Sequence, residues 1–226
     1  MAVGNTFVVE KLCPICEKMT RVVKTRSRIT VTSRDEDACT HYENFNPYLY
    51  TVWVCEHCGF AADEKTFTTK IPDRHLLILR AILLTKSIKI PFTEERTVGN
   101  ASTAFRLALK FLDIIHGKSS KKAKYAHQLA WVYREAGDTV QEAEFMAKAA
   151  QFYEEALAKE HFPVDALTDN AVIYLVAAIY CRLGERQKAT SFLSRLISDQ
   201  SVREREPRIY DKARDLWGDI RAARKK

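Results

Sequence analysis

Four of the chain's six cysteines stand as two pairs with a two-residue gap: Cys13 and Cys16 in KLCPICEKMT, Cys55 and Cys58 in TVWVCEHCGF. That gap lets both sulfurs of one tight turn reach the same ion at about 2.3 Å, so two such turns supply a full tetrahedron of thiolates. Amides within each turn can donate to the sulfurs and spread their charge. Four thiolates leave no open coordination position, which suits a structural ion and not a Lewis-acid catalyst. The expected ion is Zn2+. Iron is the alternative, because a tetrahedron of four cysteines accepts either metal. A dithiol redox role is disfavoured, since neither pair sits in the strand-then-helix setting of thioredoxin-like proteins.

The neighbours of the pairs are unequal. Gly59 follows Cys58 where such turns often need positive φ, whereas Glu17 holds the equivalent place after Cys16. His57, inside the second pair, is expected to face solvent. Cys39 and His41 are read as a small core residue and a surface residue, with a ligand role as the alternative, and Cys181 as a packing residue on an apolar helix.

A tetrahedral site must be positioned by the elements around it. Residues 1–70 read as strands and loops: RVVK, SRITVTS and YLYTVWVC are rich in β-branched and aromatic residues. In the last, Tyr48, Tyr50, Val52 and Val54 alternate with Leu49, Thr51 and Trp53, predicting one strand with two faces. Residues 17 to 54 form a 38-residue loop between the pairs, long enough to need strands of its own. So small and polar a segment needs a staple, and binding energy at a structural metal site becomes folding energy.

From Asp73 onward the period is helical. DRHLLILRAILLTKS is expected to start at an Asp73 N-cap and stop before Pro91. In NASTAFRLALKFLDIIHG one face carries Ala101, Ala104, Phe105, Ala108, Leu112 and Ile115, with Gly117 as the stop. KYAHQLAWVYREAG ends at Gly137, and Thr139 to Glu142 has the spacing of a capping box. Pro163 and Asp165 are expected to open a further helix ending at Gly184, followed by RQKATSFLSRLIS and YDKARDLWGDIRAARKK. The fold class is therefore α+β. A zinc-ribbon or rubredoxin-like β domain (1–70) precedes a helical domain (71–226).

The helical half contains an echo. Ala130, Tyr133 and Gly137 share their spacing with Ala177, Tyr180 and Gly184, and a small residue follows in each next helix, Ala143 and Ala189. This resembles the tetratricopeptide (TPR) helical hairpin, although the two glycines lie 184 − 137 = 47 residues apart and that repeat has a period of about 34. Two longer intervening helices account for the difference.

At 226 residues the chain can bury a substantial core, and its composition is that of an ordinary globular protein, 46% apolar and 29% charged. The amino terminus shows no signal-peptide pattern, and the apolar run from Ala171 to Tyr180 is too short to span a bilayer. A cytoplasmic protein without membrane insertion is expected, where paired cysteines read as ligands before disulfides.

Searches for catalytic patterns return nothing: there is no G-x-x-x-x-G-K-[ST], G-x-G-x-x-G, H-E-x-x-H or G-x-S-x-G. Asp35-Glu36-Asp37 and Glu154-Glu155 read as solvated charges, and His116 and His161 as helix-end residues. No enzymatic activity is expected. The formal net charge is +7 at pH 7. Basic residues cluster at Lys18, Arg21, Lys24, Arg26 and Arg28, at Lys118, Lys121, Lys122 and Lys124, and at Arg221, Arg224, Lys225 and Lys226. With the interleaved Tyr42, Phe45, Tyr48, Tyr50 and Trp53 they offer nucleic-acid binding as an alternative; the favoured reading makes the aromatics core and the lysines solvated.

CPIC, then SRDEDACTHYENFNPYLYTVWVCEHCGFAADEKTF, then FRLALKFL and AHQLAWVYREAGD together resemble a bacterial family catalogued as a domain of unknown function (DUF). The most specific parts are Asn46-Pro47-Tyr48-Leu49-Tyr50 and the Ala130-Trp131 helix. The resemblance implies a bacterial cytosolic protein with a rubredoxin-like zinc module joined to TPR-like helices. Glu17 departs from the fuller Cys-x-x-Cys-Gly form. The combined expectation is a non-catalytic adaptor: Cys13, Cys16, Cys55 and Cys58 hold zinc, and the helices bind a protein partner. Its oligomeric state is not legible.

Overall fold

In the computed structural model, residues 4–85 and 89–223 are described. Antiparallel β1 (Thr6–Leu12) and β2 (Met19–Thr25) pair from Thr6↔Thr25 to Leu12↔Met19, so the connection between them is the first cysteine turn, residues 13–18. The short strands β5 (Val52–Val54) and β6 (Ala61–Asp63) pair with Val54 opposite Ala61, and their connection is the second turn, residues 55–60. Between them, β3 (Val31–Arg34) and β4 (Thr40–Tyr42) form a third two-stranded sheet. The long inter-pair loop thus carries strands, as its length required.

The predicted strand from Tyr48 to Val54 is divided. Pro47–Tyr50 is a 3-10 turn, because Pro47 presets its φ and the Asn46 side chain accepts from the Tyr48 amide at 3.0 Å. Only Val52–Val54 is extended, and both Val52 and Trp53 are buried, so the alternation does not mark a wet face.

The helices are α1 (Glu64–Thr68), α2 (Asp73–Leu83), α3 (Val98–Ile114), α4 (Ser119–Glu135), α5 (Thr139–Lys159), α6 (Asp169–Arg182), α7 (Arg186–Ser198), α8 (Gln200–Arg205) and α9 (Pro207–Ala223). The fold class is α+β. Several starts differ from expectation by one cap. Asp73 is the first residue of α2 after Pro72, with no side-chain cap. Asp138, not Thr139, caps α5 by accepting from the Gln141 amide at 3.0 Å, which frees Glu142 to pair with Arg134 at 2.8 Å. Thr168 caps α6, since Val164 and Leu167 are already tied in a turn and keep Pro163 and Asp165 outside the helix. Lys86 and Ser87 of the long predicted helix lie outside the described residues.

Three helices end alike. The amides of Gly137 and Asp138 return to Arg134 and Tyr133, and those of Gly184 and Glu185 to Cys181 and Tyr180, the double bond of a Schellman stop. After α3 the same pair of bonds comes from His116 and Gly117 to Asp113 and Leu112, but the left-handed residue is His116. Glycine is required at 117 for another reason: a Cβ there would meet the Leu112 side chain at 2.7 Å.

The chain gathers into two compact units. One runs to Ser33 and continues through His41–Gly117 and Gln128–Glu142; the other comprises Arg34–Thr40, Lys118–His127 and the chain from Ala143. The change from strand to helix near residue 70 is one of local grammar, whereas these units follow contacts. In the first unit, Trp53, Phe67, Phe60 and Phe111 make a continuous aromatic core with centroid spacings of 5.8, 5.5 and 6.0 Å. Each such ring contributes about 1.5–3 kcal/mol on burial. In the second unit α6 packs on α7, and both pack on α9.

The acidic run is not a solvated loop. Asp37 is 2% exposed and lies 3.3 Å from Nε2 of His127, itself equally buried, and the Tyr174 hydroxyl donates to Glu36. Tyr153 meets the His127 ring edge-on at 5.9 Å, and its hydroxyl is pushed well above the usual phenol range, first by burial and then by Asp37. The Tyr180 hydroxyl likewise donates to Glu154.

Candidate metal centre

The two cysteine turns are built alike. In the first, the Glu17 amide donates to the Cys13 carbonyl and the Cys13 amide to the Lys18 carbonyl, both at 3.0 Å. In the second, the Gly59 amide donates to Cys55 and the Cys55 amide to Phe60, both at 2.8 Å. The residue after each pair has positive φ, 57° at Glu17 and 75° at Gly59. Amides of Ile15 and Cys16 bond the Cys13 sulfur, and those of His57 and Cys58 bond the Cys55 sulfur. Each turn therefore points two sulfurs to one side and stabilises negative charge on them.

The structure brings all four predicted ligands together. Cys13 Sγ lies 3.7 Å from Cys58 Sγ, and Cys16 Sγ 3.7 Å from Cys55 Sγ. All four sulfurs lie within 4.8 Å of one another. A metal–sulfur bond of about 2.3 Å gives a tetrahedral edge of about 3.8 Å, so the four atoms fit one ion. A disulfide needs about 2.05 Å, and all four are free thiols. Three are buried and Cys16 is half-buried. Cys13 is pushed up to about 12, chiefly by its hydrogen bond to Cys55, while Cys55 is held far below the usual thiol range by Cys13 and Cys58. Cys58 is driven strongly upward by the same two partners and by burial. Crowded sulfurs resist joint ionisation, and a cation among them removes that resistance.

The environment holds the turns in register. The Glu56 amide donates to Thr20 Oγ1 at 3.2 Å, and the Arg21 guanidinium grips the Glu56 carboxylate from Nη2 at 2.8 Å. Arg21 holds that carboxyl below the usual carboxylate range. His57 is exposed, as expected, and its Nε2 meets the Met19 carbonyl at 2.9 Å. From α2, Arg80 donates to the Ile15 carbonyl at 2.9 Å and pairs with Glu17. Arg80, Arg21, Glu56 and Thr20 are not readable from the sequence as site residues. Their only signal is proximity to a pair in sequence, and Arg80 lacks even that. Cys39 is buried, and His41 pairs with Glu135 at 2.6 Å.

The predicted aromatics are mutual neighbours: Phe45 stacks on Tyr50 at 5.7 Å, and Tyr48 meets Tyr42 at 6.1 Å and Trp131 at 5.0 Å. Lys24 pairs with Glu64 at 2.7 Å, and Arg26 donates to the Gly4 carbonyl at 2.8 Å. Arg224, Lys225 and Lys226 lie outside the described residues. No helix among the described residues is long and apolar enough to cross a membrane.

Neither the curated proteins nor the solved structures compared with the chain contain a match. A family model does match, over residues 8–220, which takes in both cysteine turns and every helix but the last residues of α9. The chain belongs to the bacterial family described as "Uncharacterized protein conserved in bacteria (DUF2225)".

Proposed function

We propose that the protein is a non-catalytic adaptor, in which Cys13, Cys16, Cys55 and Cys58 hold one structural zinc and TPR-like helices bind a protein partner in the cytoplasm. The observation that carries the metal half is the pair of 3.7 Å sulfur contacts, which match a tetrahedral edge. A closed set of four thiolates leaves no place for a substrate, so the ion's energy goes into folding. The partner half is supported by the helical hairpins that turn at Gly137 and Gly184 with the same pair of hydrogen bonds, the feature shared with TPR arrays. Nucleic-acid binding is less favoured: Arg21, Lys24 and Arg26 are engaged within the protein, and Tyr48 and Trp53 are buried.

Metal analysis and affinity capture on the same native sample test both halves. One zinc per chain, with a melting transition that collapses on chelation, is the expected result. An unchanged circular dichroism and melting profile after full metal removal overturns the structural role. Iron with its visible absorption band replaces zinc by an electron carrier, and retention on RNA that weakens steeply with salt replaces the protein partner.

A further inference from the structure

Between β5, the start of α3 and the segment leading into it lies a cavity of about 90 Å³, lined by Val54, Phe92, Arg96, Asn100, Thr103 and Leu107 among others. All of these belong to the first unit. Arg96 is half-buried. Its Nη1 donates to the carbonyls of Leu49, at 3.3 Å, and Val52, which uses up that nitrogen's two hydrogens. The Nε–H and both Nη2 hydrogens have no acceptor among the described residues, and these nitrogens remain reachable by solvent. No carboxylate among the described residues pairs with Arg96; the neighbour that acts on its charge is Tyr50, and burial brings the guanidinium down to about 10. It stays cationic at neutral pH while lacking a counter-ion. By contrast Arg21, Arg80 and Arg134 each have a glutamate.

The unused edge of the guanidinium, Nε and Nη2, is the fork that accepts a carboxylate through two parallel bonds. The walls beside it are apolar, and the volume suits a few heavy atoms. The side-chain amide nitrogen of Asn100 adds a donor, since its oxygen is already taken by the Thr97 amide and hydroxyl. We propose that this cavity is a binding site for a small monocarboxylate with a short apolar tail, with Arg96 as its charge partner and Val54, Phe92 and Leu107 as walls for the tail. The site is separate from the four sulfurs and independent of what the helices bind.

The test uses the full-length protein with its metal, titrated at constant ionic strength with hexanoate, hexanol and inorganic phosphate, and read by calorimetry and amide NMR. Hexanoate is expected to bind saturably and shift the amides of Val54, Arg96 and Asn100. Hexanol should bind at least about tenfold more weakly, since a charge-assisted pair is worth about 1.5–3 kcal/mol. Arg96→Gln should lose about the same factor. Because Arg96 also supports two carbonyls, Leu107→Trp serves as the second variant: it fills the cavity, leaves the guanidinium alone, and should abolish binding. No saturable binding of hexanoate to the native protein overturns the proposal. So does equal affinity for hexanol, unchanged affinity in a folded Arg96→Gln or Leu107→Trp protein, or phosphate binding more tightly than hexanoate, which would make the cavity a plain anion site.

Discussion

The two cysteine turns share a hydrogen-bond pattern and differ in everything that supports them. The second passes from Gly59 directly into Phe60, 3% exposed and stacked within the aromatic core. The first passes from Glu17 to Lys18, both exposed, and is held from outside by Arg80. Glycine adopts the left-handed conformation without penalty, whereas a residue with a Cβ loses roughly 1–2 kcal/mol there. Metal-ligand geometry thus demands one backbone path, and the protein follows it once with a permissive residue and a packed core, once with a strained residue and a side-chain clamp.

Removing a ligand tests whether the turns act as one site. Cys13→Ser and Cys55→Ser should have the same, largest effect: loss of stoichiometric metal and of the folding contribution of the ion, on the order of 10 kcal/mol in small zinc modules. Metal content and circular dichroism of the two variants read this out. Retained metal with cooperative melting in either one would break the equivalence.

Backbone conformation comes next. Gly59→Ala should lower stability by about 1–2 kcal/mol. Glu17→Gly should change it by less than about 0.5 kcal/mol, because relief of the left-handed penalty is offset by greater freedom of the unfolded chain and the lost ion pair. Denaturant melts of the two holoproteins decide; equal losses would mean that the Glu17 turn is not strained.

Arg80→Ala removes the clamp on the first turn alone and should cost about 1 kcal/mol, the worth of a typical hydrogen bond. Faster metal release to a chelator should accompany it, and a rate equal to the native protein's would leave Arg80 without a role at the turn.

The smallest effect belongs to Arg21 and Glu56. Because Arg21 depresses the Glu56 carboxyl, the pair stabilises the fold above the ordinary carboxylate range, and that contribution disappears as pH falls through the lowered value. The partly exposed pair is worth at most about 1 kcal/mol. Glu56→Gln should therefore flatten the acid limb of the stability profile slightly and leave neutral stability within that margin. A neutral-pH loss well beyond it would show that Glu56 orders the second turn.

The cysteines are legible because their spacing is local: two residues between sulfurs determine a turn wherever it occurs. The stops at Gly137 and Gly184 are legible for the same reason. The strand expected over Tyr48–Val54 fails because Pro47 and the Asn46 cap outcompete an alternating pattern. The solvated charge expected at Asp37 fails because its partner, His127, lies 90 residues away. Arg80 is invisible at the site for a like reason, 65 residues from Ile15.

Residue types and short spacings by themselves determined the donor set, the change from strand to helix, and the places where helices stop, since each depends on a few consecutive dihedrals. Only the tertiary structure decided that the two turns converge to 3.7 Å, that Glu17 occupies a conformation suited to glycine, and that Arg96 is left without a counter-ion. Those outcomes depend on closing loops of tens of residues, where the winning contact is chosen by packing of the whole unit and not by any neighbour along the chain.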